Sequence, residues 1–228
     1  MKRQQEEEDK ENIPPTKRQQ RPGQLVGNIP KTLHYSLHPN DSSWVETFPL
    51  PVPYRMIHEN IDFKSFFDLF WRSQNPKEPT VSGLSYRMET FGRGSTPYQP
   101  IPVLFKAWLN FVNETTNYHQ KFDQPFNKLS VYWLENKDNH IPHDHLDNIP
   151  HVTNDQEESC MVNISFGAPR ELLLKGRTNV VGNLKLVLTC DTVVVIGGLT
   201  LSTHQSSIPK LNLDIGKHIL LSFAIVKY

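Results

Sequence analysis

Two short segments hold residue types whose spacing could do chemistry. Residues 139–148 read N-H-I-P-H-D-H-L-D-N and contain His145-Leu146-Asp147, a His-x-Asp pair. His204 stands 57 residues beyond Asp147, in the run T-H-Q-S-S-I-P-K of residues 203–210. Two imidazoles and one carboxylate make the facial triad that holds a non-haem Fe(II) and leaves positions open for oxygen chemistry. A His-x-Asp at a strand end puts both side chains on one face, because side chains repeat with period two along a strand. A histidine from a distant strand would close the triad. A second register stays open, in which His143 and His145 form a His-x-His pair with no aspartate in the second slot. The plain alternative is a set of polar loops on a β-rich domain.

The elements that must position these residues are mostly strands. From residue 126 onward, short apolar or alternating runs at 129–135, 161–167, 171–177, 183–190, 192–198 and 218–226 are punctuated by Gly, Asn, Asp or Pro, as strands and turns are. Two helices come first. Residues 61–73 carry Phe63, Phe66, Phe67 and Phe70 at i, i+3, i+4, i+7 spacing, the mark of an amphipathic helix. Residues 103–118 carry Leu104, Trp108, Phe111 and Val112 as an apolar stripe, which reads as core packing. Residues 84–92 look extended. Helices followed by a run of strands imply an α+β antiparallel fold, a sandwich or jelly roll with helices packed on one sheet.

Three regions are expected: a charged tail over 1–22, an extended N-terminal segment over 23–59, and the folded domain over 60–228. The tail is rich in Gln and charge and poor in large apolar side chains. Such a segment cannot offset its ordering entropy, so disorder is expected. Within it, Lys2-Arg3 and Lys17-Arg18 resemble a bipartite nuclear import signal, and Lys10-Glu11-Asn12 resembles a KEN-type degradation motif. An intracellular, nuclear location is the expectation.

Composition narrows the function classes. Lys+Arg and Asp+Glu are both 24 among 228 residues, so overall charge points to neither nucleic acid nor membrane. No apolar run suffices for a transmembrane helix, and the N-terminus has no secretory h-region. Cys160 and Cys190 form neither a Cys-x-x-Cys pair nor a disulfide framework. No Walker loop, Rossmann glycine triplet, Gly-x-Ser-x-Gly elbow or His-Glu-x-x-His motif occurs. A monomer is expected.

The order of motifs over residues 84–226 resembles the AlkB-like Fe(II)/2-oxoglutarate-dependent dioxygenases. The matching pieces are Arg87 through Phe91-Gly92, Phe126-Asn127-Lys128-Leu129, Ile141-Pro142 through Asp147, Ser165-Phe166-Gly167-Ala168-Pro169-Arg170, and Gly198 through Ser207-Ile208-Pro209-Lys210. The resemblance implies a double-stranded β-helix (jelly roll) with supporting N-terminal helices. It implies Fe(II) on His145, Asp147 and His204, and 2-oxoglutarate near Tyr132, His218 and Ser222. It further implies oxidative demethylation of alkylated bases in DNA or RNA, with nucleic acid as partner. A base drawn from its stack needs aromatic walls. Phe91, Tyr98 and Trp133 are candidates, with Arg87 for phosphate.

The chain departs from the family pattern at several points. The family's first histidine falls on Asp144, so the His-x-Asp begins one residue late. The distal histidine falls on Ser206, with His204 two residues earlier. A shift of two keeps the same face of a regular strand. The family's last strand reads Arg-x-Asn-x-Thr-Phe-Arg. Here it is His218-Ile219-Leu220-Leu221-Ser222-Phe223-Ala224, without either arginine or the asparagine. Arginine suits the role because its planar fork pairs bidentately with carboxylates. His218 would offer a partial, pH-dependent charge, and Lys217 points to the other face of an ideal strand. Two readings therefore follow: a dioxygenase with displaced ligands, or a catalytically degenerate AlkB-like module that binds nucleic acid or protein.

Overall fold

The computed structural model describes residues 17–18, 32–38, 40–55, 57, 61–66, 87–93, 95, 98–115, 124–142, 159–178 and 181–226. The strands are β1 (Lys17–Arg18), β2 (Leu33–Ser36), β3 (Ser43–Pro49), β4 (Arg87–Gly92), β5 (Lys128–Leu134), β6 (Ser159–Gly167), β7 (Arg170–Gly176), β8 (Leu184–Leu188), β9 (Thr192–Gly198), β10 (His204–Ser207) and β11 (His218–Ala224). Eight of them form one sheet in the order β1-β2-β3-β9-β6-β11-β5-β4, and three form a second in the order β10-β7-β8. Every strand pairing is antiparallel. Ile141 bridges to Ile208, just past β10, on the free side of the small sheet.

Beyond residue 126 the chain alternates between sheets. β5 is in the large sheet, Ile141 bridges to the small one, β6 returns to the large, and β7 and β8 lie in the small. β9, β10 and β11 then fall in the large, the small and the large sheet. This wrapping of two antiparallel sheets is the double-stranded β-helix, or jelly roll. β2 and β3 come from the N-terminal segment and extend the large sheet beyond β9.

Strand patterns follow from which faces are covered. β8 (LKLVL) alternates buried and exposed, because only one face of the small sheet packs on protein. β5 and most of β6 are buried on both faces, because helices cover one side of the large sheet and the small sheet covers the other. The helix side holds Leu129, Val131, Trp133, Val162, Ile164, Phe166, Val193, Val195, Leu221 and Phe223, packed with Phe63, Phe66, Phe91, Phe105, Trp108 and Phe111. The inner side, between the sheets, holds Tyr132, Leu134, Met161, Val194, Ile196 and Leu220, against Leu172, Leu174, Leu184, Leu186, Leu188 and Ile208.

Three short helices complete the described chain: α1 (Val52–Arg55), α2 (Lys106–Thr115) and α3 (Thr200–Thr203). Residues 63–66 form a further helical turn, started by Asp62, whose carboxylate accepts from the Ser65 amide and hydroxyl. The expected second helix differs at its start. Residues 103–105 form a 3-10 turn, so Phe105 is buried while Leu104 is exposed. The tighter turn shifts the phase of the stripe, and Trp108, Phe111 and Val112 keep the expected inward face. Phe67 and Phe70 lie outside the described residues.

Candidate site between the sheets

The inner face of the large sheet carries four rows of opposed residues that cross β5, β11 and β6. They run Lys128–Ala224–Met161, Ser130–Ser222–Asn163, Tyr132–Leu220–Ser165 and Leu134–His218–Gly167. Residues directly opposed across an antiparallel pair have neighbouring side chains on one face. The third and fourth rows carry the apolar wall of Tyr132, Leu134 and Leu220. The first two carry most of the row polarity, in Lys128, Ser130, Ser222 and Asn163.

That polarity sits deep. Asn163 has no solvent exposure, and among the described residues neither its Oδ1 nor its Nδ2 has a hydrogen-bond partner. An unsatisfied buried polar group costs about 1–3 kcal/mol, so an orphaned amide there demands a reason. Lys128, Ser130 and Ser222 keep 5–7 % exposure, while Leu129, Val131, Leu221 and Phe223 on the helix side keep none. Burial lowers the Lys128 ammonium to about 8, so it is largely charged at neutral pH.

His218 begins β11 in the fourth row. Gly167, opposite it, has φ +83°, and a Cβ there would lie 2.4 Å from the Lys217 carbonyl. Only glycine allows this close approach, which sets the His218 ring against the β6–β7 turn. Its Nδ1–H donates to the Ala168 carbonyl at 2.8 Å, which leaves Nε2 an acceptor with no partner among the described residues. Burial pushes its pKa down to about 4, and the nearby Arg170 charge adds to the shift. His218 is therefore neutral at pH 7. The partial positive charge expected from the sequence is absent, because a fully buried imidazole without a carboxylate partner does not hold a proton. Arg170 is buried, and its guanidinium donates to the carbonyls of Asn136 at 2.7 Å and Asn139 at 3.5 Å. It pins the turn after β5.

His204 opens β10. It opposes Gly176, and Ser206 opposes Leu174, so His204, Ser206 and Leu174 share the inner face. Both His204 and Ser206 are buried. The sequence offset of two has kept the face, as the strand period requires. His204 Nε2–H donates to the Gly182 carbonyl at 2.8 Å, and Nδ1 lies 2.9 Å from Thr203 Oγ1. Burial lowers its pKa. An imidazole whose Nε2 proton is engaged in this way must release that hydrogen bond before Nε2 can hold a metal.

The other expected site residues separate. Tyr132 and Ser222 lie on the inner face with His218. Phe91 and Trp133 lie on the helix side, where Phe91 packs against Phe66 and Phe105. The Lys217 ammonium sits 5.5 Å from the Trp133 ring centroid, on that same side. Tyr98 is exposed. The backbone of Arg87 pairs with Trp133 in β4. His143, His145 and Asp147 lie outside the described residues, as does the side chain of Arg87. Among the described residues, no group of three His, Cys, Asp or Glu side chains converges on a metal position. The described part of the last strand does not fit 2-oxoglutarate in the family manner: neutral His218 and apolar Leu220 and Ala224 offer no charge for its distal carboxylate.

Sequence reasoning missed Lys128, Ser130 and Asn163. The signal was present: each is a polar residue at an inward position of an otherwise apolar strand, in KLSVYWL and SCMVNISFG. Such positions go to polar residues at a cost, which makes them informative.

No family model matches the chain, and no curated protein does. Among solved structures, the chain is similar to one described as the structure of OsALKBH1, with 13 % identity and a TM-score of 0.43, over 72 % of this chain and 94 % of that one. The jelly-roll assignment rests on the strand order above. No helix among the described residues is long and apolar enough to cross a membrane.

Proposed function

We propose that the chain is a divergent AlkB-like oxygenase that removes alkyl groups from nucleic-acid bases, with His145, Asp147 and His204 as ligands of Fe(II). One observation carries this reading, the antiparallel bridge between Ile141 and Ile208. A ladder continued from that bridge in the same register would set His145 opposite His204, each four residues from its bridge partner, and the strand period would then put Asp147 on the face of His145. His204 already points inward and is buried. Fe(II), when bound, supplies the centre at which oxygen is activated. The protein's share is to keep water out, through the apolar wall of Tyr132, Leu172, Leu174 and Leu220, and to release His204 from Gly182.

A second reading has its own support. The His204–Gly182 hydrogen bond and the uncharged β11 favour a jelly roll that binds nucleic acid or protein without catalysis. The experiment that separates the two uses Fe(II), 2-oxoglutarate and an N-methylated oligonucleotide. Formaldehyde release that disappears in His145→Ala and Asp147→Ala supports the oxygenase. Retained oligonucleotide binding with no formaldehyde supports the binding module. Nuclear import through Lys2-Arg3 and Lys17-Arg18 is a separate proposal, tested by the location of a fluorescent fusion with and without residues 1–22.

A further inference from the structure

The charged N-terminal tail contributes a strand where none was expected. β1 (Lys17–Arg18) pairs antiparallel with β2, with Lys17 opposite Tyr35 and Arg18 opposite His34. β2 pairs with β3 on its other side, so among the described strands β1 alone covers the outer edge of β2. An uncovered edge offers a row of backbone donors and acceptors to any extended chain. The occupant of this edge is basic, and the register places it beside acid. Arg18 stands opposite His34, and His34 opposite Glu46. His34 Nδ1–H donates to Glu46 Oε1 at 3.1 Å, and its Nε2–H donates to Asp41 Oδ1 at 3.0 Å. Carboxylate oxygens only accept, so both ring nitrogens donate and the ring is the imidazolium. One cation between two carboxylates leaves this corner of the sheet with a net negative charge.

We propose that the outer edge of β2 is a docking site for the chain's own basic segment, and that docking withholds Lys17-Arg18 from any partner that reads the pair as an extended peptide. When a strand adds to a sheet edge, backbone pairing supplies the affinity and the side chains beside the edge select the occupant. Opposite charges at opposed positions stabilise a strand pair, and like charges destabilise it. The corner that carries Asp41 and Glu46 therefore favours a basic strand. The acidic run Glu6-Glu7-Glu8-Asp9 of the same tail suits the edge poorly for the same reason. A strand of two residues makes few backbone bonds, so it opens far more readily than the core strands. The contact is a latch rather than part of the core. A receptor that binds Lys17-Arg18 as extended chain competes with β2 for the same segment. The consequence for nuclear import rests on the import signal proposed above, whereas the docking itself does not.

The test uses the full chain and early trypsin cleavage after Lys17 and Arg18, read by mass spectrometry. A paired segment is cut only from its open form. The reference is a synthetic peptide of residues 10–25, which has no sheet to join. Cleavage at these two bonds should be slower in the full chain by about tenfold or more, at every protein concentration. Asp41→Asn and Glu46→Gln remove the two charges. Asparagine tolerates the left-handed backbone of residue 41, at φ 59°, and glutamine keeps an acceptor for His34. Each variant should speed cleavage by up to about fivefold, as loss of cross-strand charge complementarity predicts. If a variant does not fold, the unaltered chain against the peptide decides. Equal rates in chain and peptide overturn the proposal. So does protection that grows with protein concentration, which would assign the strand to a second copy, or unchanged cleavage in both folded variants. For import, a reporter too large to diffuse into nuclei is fused to the C-terminus, and the doubly substituted chain should enter faster than the unaltered one. Equal entry of the two, with cleavage accelerated, overturns the withholding. Entry of neither, with protection intact, rejects the import signal and leaves the docking supported.

Discussion

The two faces of the large sheet are built from the same strands and do different work. On the helix side, every inward position of β5, β6, β9 and β11 is apolar, and aromatic rings interlock above it. Trp108 contacts Phe105 and Phe166 at centroid distances of 6.1 and 5.2 Å, and its Nε1–H donates to the Tyr54 carbonyl. On the inner side, three of these strands, β5, β6 and β11, carry Lys128, Ser130, Asn163, Ser165, His218 and Ser222 among the aliphatic residues. A protein that needed only stability would fill both faces alike, because buried polar groups cost free energy unless they are partnered. The helix side is therefore the scaffold, and the inner side carries polar groups that cost stability.

The largest expected effect lies on the scaffold face. Trp108→Ala removes a fully buried indole and should cost about 3–5 kcal/mol, read from urea denaturation midpoints. A loss below about 1 kcal/mol would mean that the helices are not anchored on this face through Trp108.

Next in size is the acid limb of stability. His218 titrates at about 4 when folded and near 6.5 when unfolded. Its folded value is depressed, so the unfolded chain binds the extra proton between those pH values. Stability from this group is present above pH 6.5 and is lost as pH falls toward 4, on the order of 3 kcal/mol in all. His34 behaves in the opposite sense. Its pKa is raised, chiefly by the hydrogen bond to Glu46 at 3.1 Å, with Asp41 at 3.0 Å adding to it and burial opposing. Its contribution is present below pH 6.5 and fades as pH rises through the raised value. Denaturation midpoints measured from pH 4 to 8 should thus fall steeply on the acid side and gently on the basic side. His218→Gln, which keeps a donor for Ala168, should flatten the acid limb alone. An unchanged acid limb in that variant would contradict a neutral, buried His218.

The smallest effect sharpens the contrast most. Asn163→Leu replaces an unpartnered amide with an apolar side chain of similar size. On the scaffold side a change between polar and apolar would be destabilising in either direction of fit. Here the ligand-free protein should become more stable, by about 1–3 kcal/mol. A loss of that size instead would show that the amide is already well satisfied, and the inner face would lose its claim to be a site.

The legibility of these faces in the sequence also differs. Strands β5, β6, β7, β8, β9 and β11 were readable because apolar runs are bounded by Gly, Asn and Asp, and their observed limits shift by only a residue or two. β10 was not readable as a strand. His204-Gln205-Ser206-Ser207 has no apolar alternation, and pairing with β7 rather than propensity makes it extended. The helix side was legible as periodicity, except at Leu104, where a 3-10 turn moved the phase. The inner side was legible only in part. His204, Tyr132, His218 and Ser222 could be singled out by motif order. The charge state of His218 could not, because burial decides it. Phe91 and Trp133 looked like stacking residues by type, and strand parity turns both toward the helices.

The proposed oxygenase requires a metal position on the inner face that includes His204. Titration of the protein with Mn(II), an oxygen-stable stand-in for Fe(II), followed by electron paramagnetic resonance, tests it most directly. One bound Mn(II) is expected in the unaltered chain, with an affinity loss of more than about 100-fold in His204→Ala, since even outer-shell partners of a metal are worth about 10–100-fold. Mn(II) binding in His204→Ala equal to that of the unaltered chain would contradict it.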